Sequence, residues 1–276
     1  MKFLKKYGKR ILVWLLIFAA FGVFAHWQNN DLLLTKYEYF DKELPDAFDG
    51  YRILQVSDLH NKLFDKTQTP LVELTREAAP DIIVITGDMI DGNHPHVDPA
   101  IRYAEQAVDI APVYYITGNH ELFAAAETTE LLTRLRACGV QVLETEEVVL
   151  ARGGEKISLL GFDSSYVVNG LQKKLVQDAS CDYRIVLMHN PLLFPKLSEL
   201  DVNLALAGHI HGGQVRLPVI GGLYGPEQGI LPEYDNGMYT ENDTTMIISR
   251  GVGNSGFPVR VFNRPELVLV TLRTDA

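Results

Sequence analysis

Eight strand-length runs, nearly all apolar, recur along this sequence: RILQV (52–56), DIIVIT (81–86), VYYIT (113–117), ISLLGF (157–162), YRIVLM (183–188), NLALA (203–207), TMIIS (245–249) and ELVLVTL (266–272). Segments this short and this apolar predict strands in sheets covered on both faces. Helical patterns lie between several of them. TPLVELTREAA offers Thr69 as a candidate N-cap with Pro70 at the first helical position, and ETTELLTRLRACG closes on Gly139 as a glycine cap. The alternation predicts an α/β fold. The second half has fewer helices and predicts a mixed sheet or two packed sheets. Residues 217–244, with five glycines and three prolines, read as a long surface excursion.

Five of the runs break off into polar residues: SDLH, GDMID, GNHE, HN and GHIH. Five of the eight histidines (His60, His120, His189, His209, His211) stand at these exits, where ligands gather in open α/β sheets. Singly, each motif has a plain reading. Asp58-x-His60 and Asn119 suit turns, Asp88 a cap, and His189 a helix start. His209 and His211 are less easily dismissed, because residues two apart on an extended chain project to one side. Together, two aspartates, one asparagine and four histidines give seven oxygen and imidazole donors without a thiolate, a set that suits Mn²⁺, Fe or Zn²⁺. Seven donors exceed the needs of one ion but fit two divalent metal ions if a carboxylate bridges. Two ions roughly 3.5–4 Å apart can share a hydroxide and clamp both oxygens of a phosphoryl transfer. Gly87, Gly118 and Gly208 each precede a donor, where a missing Cβ lets backbone crowd inward.

In this order, the blocks D-x-H, G-D-x-x-D, G-N-H-E, a lone His and G-H-x-H resemble those of the calcineurin-like metallophosphoesterases, over about residues 45–275. GHIHGGQVRLP and SRGVGNSGFPVRVFNRPELVLVTL further resemble the membrane-anchored bacterial branch. The resemblance implies a four-layer αββα sandwich with two mixed β-sheets, and hydrolysis of a phosphodiester or pyrophosphate, with Mn²⁺ the first expectation. It implies that Asp58, His60 and His211 hold one ion, that Asn119, His189 and His209 hold the other, and that Asp88 bridges. His120 matches the family histidine that is not a ligand and that protonates the departing alkoxide or binds the transition-state phosphate. Asp91 matches a carboxylate that pairs with this histidine in some members and would raise its pKa; it also suits a turn before Gly92. Some relatives of the branch cleave the pyrophosphate of UDP-2,3-diacylglucosamine in lipid A synthesis, a second expectation beside a general phosphodiesterase.

Other residues carry two readings. Glu121 is a helix-start acid or an assistant to His120. His94 and His96 are loop residues or substrate contacts. Arg216, Arg250 and Arg260 are surface or sheet-edge residues or phosphate contacts. Tyr224 and Tyr234 line an amphiphile's path or pack their own loop. Cys138 and Cys181 have no metal-site spacing and read as ordinary thiols.

Four segments are expected: a basic head (1–10), an apolar anchor or signal segment (11–27), a linker with a first strand (28–44) and a catalytic domain (45–276). ILVWLLIFAAFGVFA (11–25) spans about 22 Å as a helix, short of the roughly 30 Å hydrocarbon core. Trp27 at the interface and snorkelling lysines make up the difference. A secretory signal cleaved after Val23-Phe24-Ala25 is the alternative. The positive-inside rule then gives a single-pass cell-membrane protein with an extracytoplasmic catalytic domain, or a secreted one after cleavage. The chain carries −10 overall, and five of its 25 basic residues lie in the head, leaving 20 against 35 acids for the rest. So acidic a body argues against nucleic acid as partner. Tethering points to an envelope-located or lipid-linked phosphoester substrate. A catalytically silent, membrane-anchored metal-binding scaffold is the alternative of a different class.

Overall fold

Neighbouring residues of each expected strand go to different cores. Ile53, Ile82 and Val84 face one way, and Leu54, Val56, Ile83 and Ile85 face the other, the period of two that a pleated strand imposes. The computed structural model describes residues 2–164, 168–256 and 259–274. Phe257 and Pro258 of the C-terminal stretch, and the side chains of Lys2, Lys5 and Lys6, lie outside the described residues.

The chain opens with α1 (Lys2–Asn30), β1 (Leu33–Phe40), β2 (Arg52–Val56), α2 (Thr69–Ala78) and β3 (Ile82–Thr86). There follow α3 (Asp98–Ala107), β4 (Val113–Ile116), α4 (Asn119–Phe123), α5 (Ala125–Ala137) and β5 (Gln141–Val142). The next section comprises β6 (Glu146–Arg152), β7 (Glu155–Gly161), α6 (Gly170–Gln177), β8 (Arg184–Leu187), α7 (Phe194–Leu197) and β9 (Leu204–Ala207). The surface excursion contributes β10 (Arg216–Leu217), β11 (Gly221–Gly222), β12 (Tyr224–Gly225) and β13 (Gly229–Ile230), and the chain finishes with β14 (Gly237–Glu241), β15 (Thr244–Ile248) and β16 (Glu266–Arg273).

Two six-stranded sheets result, ordered β1-β16-β2-β3-β4-β5 and β14-β15-β9-β8-β7-β6. Both are mixed. β2 to β5 are parallel with β16 antiparallel beside them, while β7, β8, β9 and β15 are parallel between antiparallel β6 and β14. The inner core joins Ile53, Val84 and Val268 of the first sheet to Leu159, Leu187, Leu206 and Ile247 of the second. Outside the first sheet lie Leu71 of α2, Ile101 of α3 and Leu131 of α5; outside the second lie Val176 of α6 and Phe194 of α7. Helix, sheet, sheet, helix is the expected αββα order. Each fully buried leucine or isoleucine side chain in it contributes roughly 1.5–3 kcal/mol.

The first strand expected within 28–44 is β1, which pairs with β16 along its whole length and so belongs to the first sheet. One expected cap is displaced. Gln68, in the left-handed region at φ 61°, caps α2, and Thr69 is already helical. The Asp65 carboxylate accepts the Thr67 and Thr69 amides, so the capping oxygen comes from further upstream. Gly139, at φ 101°, follows α5 as expected. Beneath the exits of the central strands, the buried Gln55 amide donates to Thr86 Oγ1 (2.9 Å) and to the Ala207 carbonyl (2.8 Å), bonding one sheet to the other.

Candidate metal centre

Parallel strands β2, β3 and β4 in one sheet and β8 and β9 in the other end on the same side of the molecule. Their next residues are Asp58 and His60, Asp88, Asn119, His189, and His209 with His211, and the fold brings all seven together. The ligand atoms of Asp58, His60 and His211 lie within 4.8 Å of one another, as do those of Asp88, His189 and His209. Asn119 Oδ1 is 3.0 Å from His189 Nε2. Asp88 Oδ2 stands between the groups, 3.1 Å from His189 Nε2 and 3.7 Å from His60 Nε2.

The backbone is bent to achieve this. Asp58, His60, Asp88, His209 and His211 all have φ between 46° and 74°, a region L-residues avoid and which persists only where the surroundings enforce it. Close approach also demands the missing Cβ atoms. One built on Gly118 would stand 2.1 Å from Asp88 Oδ1, and one on Gly208 would stand 2.0 Å from Ser57 Oγ.

Divalent cations fit this donor set. His60 Nε2 and His211 Nε2 face each other at 3.1 Å, with Asp58 Oδ1 3.8 and 3.5 Å from them. Donors sharing one ion at a bond length near 2.1 Å stand about 3.0–3.5 Å apart. His189 Nδ1 is 2.7 Å from the Thr86 carbonyl and donates to it, which turns Nε2 toward Asp88 and Asn119. Burial alone would lower the His189 pKa, but the Asp88 charge and hydrogen bond, with Asp58 behind them, push it up to about 10. Burial likewise works against ionisation of Asp58, yet the neighbouring imidazoles, His211 foremost, hold its carboxyl well below the usual range. The cage therefore favours positive charge at its centre.

His120 stands beside the cluster, its ring 4.5 Å from that of His60, with Nε2 4.0 Å from Asp88 Oδ2 and 3.2 Å from Ser255 Oγ. The Gly92 amide donates to Nδ1 at 2.8 Å, so the ring proton resides on Nε2. Burial lowers the His120 pKa, outweighing the carboxylates nearby. Asp91 shares a cluster with His60 and His120, but its Oδ1 accepts the Asn93 and His94 amides at 2.8 and 3.3 Å. That turn presents the Gly92 amide to His120.

Glu121 is more than a helix-start acid. It is buried, and its carboxylate accepts the amides of Asp88, Met89, Ile90 and Gly118, pinning the exit of β3 to that of β4. A cavity of about 300 Å³ opens over the cluster, lined by Asp88, Asn119, His120, His209 and His211 and by Gln214, Tyr224, Pro226, Ser255 and Gly256.

Residues 51–213 match the calcineurin-like phosphoesterase family. The uncharacterized metallophosphoesterase YkuE of Bacillus subtilis (strain 168) is 30% identical over 266 residues, covering 92% of this chain and 90% of YkuE. The chain belongs to the calcineurin-like phosphoesterase family. It is accordingly a metal-dependent phosphoesterase. A bovine transmembrane protein with metallophosphoesterase domain is 27% identical over 83% of this chain and 54% of its own length. The crystal structure of TT1561 of Thermus thermophilus aligns over 73% of this chain and 90% of its own, with a TM-score of 0.49 and 10% identity.

Several residues flagged in the sequence of this calcineurin-like phosphoesterase lie apart from the cluster. His94 and His96 are exposed. Arg216 pairs with Asp235 at 2.9 Å, and Arg250 pairs with Glu266. Arg260 is neither surface residue nor phosphate contact. It is fully buried, its guanidinium spent on the Gly253 and Arg250 carbonyls and the Asn254 side chain, and burial lowers its pKa to about 10. Tyr224 lines the cavity, whereas Tyr234 is buried and donates to Glu241. Cys138 and Cys181 are free and half-buried.

Gly118→Ala is expected to lower metal content sharply, because its methyl would occupy the space of the Asp88 carboxylate. Elemental analysis of the purified variant, with circular dichroism to confirm its fold, checks this.

Proposed function

We propose that the chain hydrolyses a phosphodiester or pyrophosphate at a two-ion centre. Asp58, His60 and His211 hold one ion, Asn119, His189 and His209 the other, and Asp88 bridges. The observation that carries this reading is the position of Asp88 Oδ2 between two sets of donors, with the ligand atoms of each group within 4.8 Å of one another. When bound, the ions supply Lewis-acid charge and activate the attacking water. Oxygen and imidazole donors suit Mn²⁺, Fe and Zn²⁺ alike, and the family resemblance makes Mn²⁺ the first expectation.

His120 acts from Nε2. With the Gly92 amide on Nδ1, a second ring proton would confront an N–H, so the imidazole stays neutral and donates a hydrogen bond to a phosphoryl oxygen of the transition state. Asp91 serves this step indirectly, through the turn that aims Gly92. Glu121 fixes the loops that carry Asp88 and Asn119.

Among the described residues, one helix is long and apolar enough to cross a membrane, over Tyr7–Asn30. In our reading it anchors the chain in the cell membrane with the catalytic domain outside and an envelope-located or lipid-linked phosphoester as substrate. UDP-2,3-diacylglucosamine pyrophosphatase activity is the second reading, favoured by the lipid-linked substrate and opposed by the outward-facing domain.

The test is cleavage of an aryl phosphodiester by the full chain in detergent. Activity is expected to vanish in chelator and to return with Mn²⁺. At a metal concentration 100-fold above Kd, the folded state gains about 2.7 kcal/mol, readable as a rise in Tm. Undiminished turnover after complete metal removal would refute the reading.

A further inference from the structure

α1 ends against the face that carries the catalytic cavity. Only Asp31 and Leu32 separate it from β1. β1 runs parallel to β16 and therefore antiparallel to β2, so its start lies level with the strand exits that hold Asp58 and Asp88. The contacts agree. Gln28 is buried and accepts the Asn263 amide, Asn29 bonds to Asn254 and, through its carbonyl, to Lys62, and the Arg264 guanidinium lies 5.3 Å from the Trp27 ring. Lys62 follows the exit of β2, and Asn254, Asn263 and Arg264 lie in the connection from β15 to the start of β16 on that same face.

The depth of this face follows from one ring pair. Phe24 lies inside the apolar run, and Phe262 stands 5.7 Å from it, edge to face. If Phe24 sits in a bilayer, Phe262 sits at the same level. Phe262 is 57% exposed and lines a surface hollow of about 720 Å³ together with Leu217, Val219 and Ile220. Val219 is 108% exposed and Ile220 60%. Large apolar side chains held out of the fold beside a membrane helix match the chemistry of the headgroup and acyl boundary. Tyr224, of the same excursion, lines the catalytic cavity.

We propose that residues 217–220 and Phe262 seat in the bilayer that α1 enters, so that the cavity opens at the lipid surface and takes phosphoesters presented there. This rests on the anchor reading of α1 and adds to it a fixed orientation of the domain. The two readings fail separately in one experiment. Leu16→Cys, Val219→Cys and Lys156→Cys, each in a Cys138→Ser, Cys181→Ser background of the full chain, are labelled with a fluorophore. They are then reconstituted in phosphatidylcholine vesicles brominated on the acyl chains. Lys156 lies at the start of β7, the opposite end of the sandwich. The labels at 16 and 219 are expected to be quenched and the label at 156 spared. If 219 behaves like 156 while 16 is quenched, the rim proposal is overturned and the anchor stands. If 16 is also spared, both fall. In a second arm, Val219→Asp with Ile220→Asp is expected to slow cleavage of a fluorogenic lipid phosphodiester in vesicles several-fold while leaving a soluble aryl diester at the parent rate. An equal change in both rates, or none, overturns lipid presentation.

Discussion

Asp88→Asn is expected to reduce kcat/KM for an aryl phosphodiester by ~10³-fold or more, about 4 kcal/mol of transition-state stabilisation, with loss of at least one bound ion. The amide keeps the shape of the carboxylate and can still accept the His120 backbone N–H, which now reaches Oδ1 at 2.8 Å. What it lacks is the charge that Oδ2 places between His189 and His60. The substitution therefore separates electrostatics from geometry. Kinetics and elemental analysis on one sample check it, and a variant with the parent rate and both ions would remove the two-ion reading.

His120→Ala is expected to lower kcat by about 10²–10⁴-fold with metal content unchanged, since the ring lies beside the cages and outside both expected ligand sets. Comparing leaving groups identifies its task. A proton donor matters most for poor leaving groups, so its loss would grow from aryl to alkyl esters. A neutral Nε2–H bonded to a phosphoryl oxygen helps all esters alike. The Gly92 amide on Nδ1 leads us to expect a uniform loss. A loss that climbs steeply with leaving-group pKa would restore His120 as an acid.

The sandwich was legible because its strands are short, apolar on both faces and interrupted by helical periods. Ile185 and Leu187 face one core and Val186 the other, as a strand of that composition must. The seven clustered donors were legible for a related reason: each follows a strand, and strand exits converge. What escaped the sequence depends on partners remote along it. Glu121 binds amides some thirty residues away, and nothing local distinguishes it from any acid in a first helical turn. Arg260 looks like a surface cation until the carbonyls that surround it are known. The Gly92 amide on His120 depends on where the Asp91 turn falls, and backbone donors leave no mark in composition. Ser255, Gln214 and Gly256 lie in stretches that carried a resemblance but no assigned role, and only the fold shows that they reach the cavity wall.

The donors divide evenly enough between the two sheets to make the centre a gauge of their alignment. Each expected coordination sphere draws on both layers, so sliding one sheet past the other by a single residue, about 3.3 Å, would open both spheres at once. Gln55 sits where it resists that slip. Cation release during gentle heating should therefore register shear between the layers before any strand has separated from its neighbour.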